Sequence, residues 1–176
     1  VLQNAAAKGR HPRALAGLAS LLAPRAADAT LRGLIAVHAP GHQLDVLQAL
    51  APQLGESETP DLAAALRELA RAIIRGRQAT AQLALFDFAG SRPQVWQQRA
   101  LLRGAIDALP KPPARQGWLS FASTPRALSS LVAAADPQTA PLATELLSAV
   151  ALHAAPARIE VQSLPPALQP RYRAGE

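Results

Sequence analysis

Two of the four histidines, His38 and His42, are spaced so that a helix would place both imidazoles on one face, where they could share a metal ion. Pro40 and Gly41 lie between them and interrupt a helix at that point. No acidic residue lies between them either, as it does in the His-Glu-x-x-His pattern of zinc proteases. We therefore interpret the two histidines as a loop pair with polar roles and assign no metal ligand.

The densest acidic group consists of Glu56, Glu58 and Asp61. Paired carboxylates perform acid–base catalysis when they share a cleft. Acidic residues just before a helix are also explained by capping and by the positive end of the helix dipole. The second interpretation is the better one here, because a strong helix pattern begins at Pro60.

The other residue types that carry covalent or phosphate chemistry are absent or unpatterned. The chain has no cysteine, so it contains no thiolate ligand, catalytic thiol or c-type haem attachment. No serine lies in a Gly-x-Ser-x-Gly elbow, and the ten glycines are scattered singly rather than in a phosphate loop. We predict no catalytic, cofactor-binding or metal-binding residue in this chain.

Arg67, Arg71 and Arg75 recur every four residues, with Glu68 beside them, and so form a basic stripe on one helix face. Such a stripe binds phosphates or acidic partners, or it is simply a solvated face. Aromatic residues that would stack on bases are absent near it, so we do not expect nucleic-acid binding. The net charge of +6 arises from an arginine-rich composition. Proteins encoded by GC-rich genomes show the same arginine content together with a bias toward Ala, Pro and Leu, which explains the charge without a binding function.

Trp96 and Trp118 are conspicuous in a chain with only 3% aromatic residues. One interpretation is that both fill gaps between alanine-rich helices. The other is that one of them anchors an interface with another domain, since tryptophan is enriched at binding hot spots.

The elements that must position these residues are helices. The clearest runs from 60 to 75: Thr59 occupies an N-cap position, Pro60 the first helical position, and Gly76 the end. Leucines and an isoleucine recur along it at helical spacing, at Leu62, Leu66, Leu69 and Ile73. Further helices are predicted at 12–23, 28–38, 42–53 and 78–88, and after Pro93, Pro125 and Pro137, the last reaching Val150.

Helices of this length joined by tight turns are typical of antiparallel helix pairs. The starts at Pro60, Pro93 and Pro125 are 33 and 32 residues apart, about one helix pair per repeat. We predict an all-α domain over residues 1–153, either a HEAT-like α-solenoid or an irregular bundle of roughly eight to ten short helices. No apolar run reaches the roughly 18 residues of a membrane span. Residues 154–176 are predicted to form an irregular linker and the start of a following domain.

The second half of the chain resembles a known family. Trp96, Arg99, Ala100, Leu101, Leu102 and Gly104 match a W-x-x-R-A-L-L-x-G helix, and Pro125, Leu128 and Leu131 match a P-x-x-L-x-x-L helix. Both occur in the HEAT-like, armadillo-type helical region of bacterial periplasmic dehydrogenases. Leu164, Arg171, Tyr172 and Gly175 match the stretch that opens the cytochrome c domain of those proteins.

The resemblance covers residues 93–176 and implies a role without chemistry in this chain. Family members join a quinoprotein-like or membrane-bound-dehydrogenase-type domain to a C-terminal cytochrome c. It implies a periplasmic scaffold that holds an oxidising domain near a haem for electron transfer, with haem c and a quinone cofactor outside this chain. The chain would then end inside a cytochrome c-like domain, shortly before a Cys-x-x-Cys-His motif.

Two alternatives remain open. The first is a stand-alone helical-repeat scaffold that binds a protein partner and exposes an apolar patch around Trp96 or Trp118. The second is a basic nucleic-acid-binding domain that uses Arg67, Arg71 and Arg75, with a steeply salt-dependent affinity.

Overall fold

Eight α-helices and one short parallel sheet make up the part of the chain that the computed structural model describes, namely residues 12–38, 41–112 and 114–153. For residues 12–16 and 34–38 it describes the backbone only. The helices are α1 (Pro12–Leu22), α2 (Ala29–His38), α3 (Gln43–Leu50), α4 (Pro60–Arg75), α5 (Ala79–Gly90), α6 (Val95–Asp107), α7 (Arg126–Ala133) and α8 (Ala140–Ser148). A 3-10 turn, Ala51–Gln53, follows α3, and the strands are β1 (Leu119–Phe121) and β2 (Val150–Leu152).

Helix α4 forms as its sequence predicts. The hydroxyl of Thr59 accepts a hydrogen bond from the backbone N–H of Leu62 at 3.4 Å, and Pro60 is the first helical residue. Leu66 is buried on the inner face, together with Leu69 and Ile73. Local signals suffice here, because the cap, the proline and the apolar stripe all lie within one segment.

Two of the predicted helix starts are displaced toward the C-terminus. The helices begin at Val95 and Ala140 rather than directly after the prolines at 93 and 137, whereas the helix predicted after Pro125 does begin at Arg126. Before α8, the carboxylate of Asp136 accepts hydrogen bonds from the backbone N–H groups of Gln138 and Thr139, at 2.9 and 3.0 Å. These bonds form an Asx turn that precedes the helix and delays its start.

The sheet is the exception to the all-α prediction. Strands β1 and β2 pair in parallel, with Leu119 opposite Val150 and Phe121 opposite Leu152. The sequence predicts that the last helix extends to Val150, but in the structure Val150 lies in a strand. The cause is tertiary: the backbone N–H of Leu119 donates to the carbonyl of Ala149 at 3.0 Å, and this pairing overrides helix propensity.

Helix contacts follow two rows. One row runs through α2, α4, α6 and α8, each in contact with the next. The other runs through α1, α3, α5 and α7 in the same manner. The two rows are joined by contacts between consecutive helices, which form the pairs α1–α2, α3–α4, α5–α6 and α7–α8. The hydrophobic core lies between the rows and is built mainly of leucine and alanine.

The closest approach within a row is between α4 and α6. A Cβ atom placed on Gly104 would lie 2.3 Å from the carbonyl oxygen of Arg67, so the two backbones touch where the helices cross. Helix α6 is covered from several sides, by α4, α5 and α8. Its buried surface is therefore wider than the single apolar face that the helical spacing of Val95, Leu102, Ile106 and Leu109 predicts. Leu102 and Leu109 are buried as expected, Val95 and Ile106 are half-buried, and the additional buried residues are Trp96, Gln97, Ala100, Leu101, Gly104 and Ala105.

None of the helices in the described ranges combines the length and the apolar character that a bilayer crossing requires.

Candidate functional site

The basic stripe of α4 faces outward. Arg67, Arg71 and Arg75 are all exposed, while Leu66 and Ile73 on the opposite side are buried. Successive arginines are one helical turn apart, so their Cα atoms rise by about 6 Å from one to the next. The structure therefore brings together the three arginines that the sequence pattern singles out.

The two acidic residues beside this stripe are both neutralised by arginines. A guanidinium nitrogen of Arg67 donates to the carboxylate of Asp107 on α6 at 2.8 Å. The Nε–H of Arg32 on α2 donates to the carboxylate of Glu68 at 3.3 Å. These ion pairs link α4 to both neighbours in its row.

Three exposed arginines on α4 and the outward side of α6 have no acidic partner among the described residues. Arg71, Arg75 and Arg103 make no ion pair or hydrogen bond with any described part of the chain. Arg103 lies one turn before Asp107 on the outward side of α6. We call the surface formed by Arg67, Arg71, Arg75 and Arg103 the arginine face.

Open grooves flank the arginine face. One, between α4 and α6, has a volume of about 230 Å³ and is lined by Ala64 and Arg71 among others. A second, between α2 and α4, has a volume of about 330 Å³ and is lined by Gly33, Arg71, Ala72 and Arg75 among others. Both grooves are shallow and charged, unlike the apolar enclosed pockets that bind small molecules. Their shape suits a macromolecular partner better.

The structure describes the side chain of only one member of the histidine pair, His42. His42 lies just before α3, and its Nδ1 is 3.0 Å from a carboxylate oxygen of Asp45. The side chain of His38 lies outside the described residues. The placed side chains include no group of three His, Cys, Asp or Glu residues that would hold a metal ion.

The acidic group before α4 serves structure. The carboxylate of Glu58 accepts a hydrogen bond from Arg99, whereas Glu56 contributes its backbone carbonyl to Trp96. Asp61 lies exposed in the first turn of α4, where it meets the positive end of the helix dipole. The three residues therefore have separate roles rather than a shared one.

The two tryptophans fill space inside the chain. Trp96 is 7% exposed, and its Nε1–H donates to the carbonyl of Glu56 at 2.9 Å. The neighbouring Gln97 donates to the carbonyl of Gly55 at 3.3 Å, so α6 holds the loop that leads into α4. Trp118 is half-buried beneath the guanidinium of Arg77, which lies 4.4 Å from the ring centre. Of the two residues around which a stand-alone scaffold is predicted to expose an apolar patch, Trp96 or Trp118, the loop covers Trp96.

One contact of possible chemical interest was missed from the sequence. The hydroxyl of Ser120 on β1 lies 2.8 Å from Nδ1 of His153, which follows β2. Serine and histidine at this distance form a nucleophile–base pair in hydrolases when a third group orients the histidine inside a cleft. Here both residues are exposed, and no described carboxylate contacts His153. Their separation of 33 positions in the chain left no local signal, since only strand pairing brings them together.

Comparison with known proteins adds no family. A scan against protein-family models, a search of curated proteins and a search of solved structures each find no match to this chain. The resemblance to the helical region of haem-c dehydrogenases therefore stays a prediction. Any proposal about function must be argued from the helix contacts and the exposed charges.

Proposed function

We propose that the chain is a non-catalytic helical scaffold, a HEAT-like α-solenoid of four helix pairs that binds a protein partner or a neighbouring domain. The observation that carries this proposal is the pair of contact rows, α2–α4–α6–α8 and α1–α3–α5–α7. In an α-solenoid each helix pair packs on the pair before and the pair after it. Such stacking leaves the outward side of each row as a continuous surface, which solenoids use for binding.

The polar groups support a role in binding rather than in catalysis. The acidic residues nearest the basic stripe are held in ion pairs, and Asp136 is held in an Asx turn. The Ser120–His153 pair lies on the exposed surface without an orienting group from the described residues. Within the described residues, Arg71, Arg75 and Arg103 of the arginine face make no ion pair or hydrogen bond, so they are available to a partner.

A narrower form of the proposal places the scaffold in a periplasmic haem-c dehydrogenase. Its support is the resemblance of residues 93–176, in which Trp96 and Gly104 are family positions. Both have clear packing roles here, Trp96 against the loop before α4 and Gly104 against α4 itself. In that setting the chain would hold an oxidising domain near a cytochrome c, and haem c and a quinone would be bound elsewhere in the parent protein.

The narrower form is tested by the reading frame that follows Glu176. We expect it to encode Cys-x-x-Cys-His shortly after Gly175, and the parent protein to stain for covalent haem. Continuation without that motif contradicts the narrower form. It leaves the scaffold itself standing, because the two contact rows do not depend on any neighbouring domain.

The scaffold is tested by photo-crosslinking in the cell that makes the protein. A photoreactive amino acid is introduced at an exposed position of each row, Arg103 on α6 and Gln48 on α3, in the natural full-length polypeptide. A binding scaffold gives a defined cross-link, to another polypeptide or another domain, from one row. No cross-link from either row contradicts the proposal.

A further inference from the structure

We infer that the arginine face binds an acidic helical segment of a partner protein, in which carboxylates recur every four residues. The inference rests on the proposed scaffold function and names the chemistry of its partner. It starts from the charges: Arg67 is paired with Asp107, while Arg71, Arg75 and Arg103 find no counter-charge among the described residues. An anionic partner supplies the missing counter-charges.

The spacing of the free arginines favours a helical partner. Arg71 and Arg75 are one turn apart on α4, about 6 Å along the helix axis. A helix lying along α4 presents carboxylates at the same rise when its acidic residues are four positions apart. Each guanidinium can then donate two parallel hydrogen bonds to one carboxylate, a geometry that lysine does not reproduce.

The shape of the second groove is compatible with close approach of such a helix. Gly33 and Ala72 line it, and a Cβ added at Gly33 would meet no atom within 4 Å. A helix can therefore rest between α2 and α4 with Arg71 and Arg75 at its side. Helices that lie in grooves of this kind are a common mode of peptide recognition.

The charge pattern favours a protein over a nucleic acid. Glu68 and Asp107, each paired with an arginine, are interleaved with the free arginines and leave separate points of positive charge, which suit spaced carboxylates better than a continuous row of phosphates. The aromatic side chains of the described residues lie away from the grooves, with Trp96 buried and Trp118 covered by Arg77. Stacking on bases, which strengthens single-strand binding, has no platform there.

Asp61 does not neutralise the free arginines. It lies in the first turn of α4, ten residues before Arg71, which corresponds to a rise of about 15 Å. That separation exceeds the Debye length of about 8 Å at physiological ionic strength. The carboxylates beside Arg71 are those of Glu68 and Asp107, each already paired with an arginine, so a partner's carboxylate there meets a net positive charge.

The test is fluorescence anisotropy with the full 176-residue chain and a labelled alanine-based helical peptide carrying glutamate at every fourth position. Its comparison peptide has the same composition with glutamates at every fifth position, so that no two lie four positions apart and they spread around the helix. We expect the first peptide to bind more tightly. We expect the Arg71→Glu/Arg75→Glu variant to weaken that binding about tenfold or more, and added salt to weaken it further.

The matched control is Arg126→Glu. Arg126 is also exposed and free of ion pairs with the described residues, but it begins α7 in the other row. We expect this variant to bind the peptide within about twofold of the natural chain, because single exposed charges away from a site have small effects. The urea unfolding midpoint of each variant confirms that it is folded.

Three results overturn the inference. They are undetectable peptide binding at low salt, equal weakening by Arg126→Glu, and tighter binding of a single-stranded oligonucleotide at the same face. The photo-crosslinking experiment separates this failure from failure of the scaffold proposal. If position 48 gives cross-links but the chain does not bind the peptide, the scaffold proposal stands. Only the inference of an acidic helical partner is then rejected.

Discussion

The two faces of α4 are held by different forces. Its inner face buries Leu66, Leu69 and Ile73 against the neighbouring helices. Its outer face carries Arg67, which is held by an exposed ion pair, and Arg71, which has no partner in the described structure. Burial of apolar area contributes several times more to stability than an exposed ion pair does.

This difference separates folding from binding within one helix. Substitutions on the inner face are expected to unfold the chain, whereas substitutions on the outer face are expected to change only what the surface attracts. The outer residues are therefore free to serve a partner, and the size of each effect below tests that division.

The largest effect is expected for Leu66→Ala. Leu66 is fully buried, so the change removes buried carbon atoms and leaves a cavity. We expect a loss of about 2–5 kcal/mol in the free energy of unfolding, measured by urea denaturation. Leu62→Ala is the control, because Leu62 is half-buried on the same helix. Equal costs for the two variants would contradict the assignment of the inner face.

The next effect is expected for Gly104→Ala. The added Cβ atom would meet the backbone of Arg67 at 2.3 Å, so α4 and α6 must move apart. We expect a destabilisation of about 1–3 kcal/mol, although alanine itself favours a helix. Gly17→Ala in α1 provides the contrast, since a Cβ there meets nothing within 4 Å. That variant is expected to be more stable by about 0.5–1 kcal/mol; stabilisation of both variants would show that α4 and α6 do not touch.

A smaller effect is expected for Thr59→Ala at the start of α4. Its hydroxyl accepts the N–H of Leu62, and the substitution removes this cap. We expect a loss of about 1 kcal/mol. Thr59→Ser keeps the acceptor and serves as control in the same thermal or urea unfolding measurement. A Thr59→Ser variant as unstable as Thr59→Ala would assign the loss to packing rather than to capping.

The smallest effects are expected on the outer face. Arg67→Ala breaks an exposed pair with Asp107 and should cost about 0.5 kcal/mol at low salt, less at high salt. Arg71→Ala breaks no pair with the described residues and should change stability by less than about 0.5 kcal/mol. The free energy of unfolding, measured by urea denaturation at two salt concentrations, distinguishes the two variants. A salt-independent loss at Arg71 would mean that its side chain contributes to packing.

Local signals made much of the helical fold predictable. The cap at Thr59, the proline at Pro60 and the stripe through Leu66 lie within one segment, so α4 could be bounded to the residue. The sheet could not be predicted in this way. Strand β1 is only three residues long, and it becomes a strand because it pairs with β2, some 30 residues later in the chain.

The same distinction holds for the candidate site. The periodic spacing of Arg67, Arg71 and Arg75 was enough to place them on one exposed face. Which of them is free depends on Asp107 and Arg32, which lie on other helices and are brought close only by packing. The burial of Trp96 likewise depends on a loop about 40 residues earlier in the chain.

The most direct test of this division of α4 is one variant measured in two ways. Arg71→Glu/Arg75→Glu changes only exposed side chains that make no contact with an acidic residue of the described structure. We expect its urea unfolding midpoint to match that of the natural chain, while its affinity for the glutamate-bearing helical peptide falls about tenfold. A lowered midpoint with unchanged affinity would place these arginines in folding rather than in binding and would contradict the proposal.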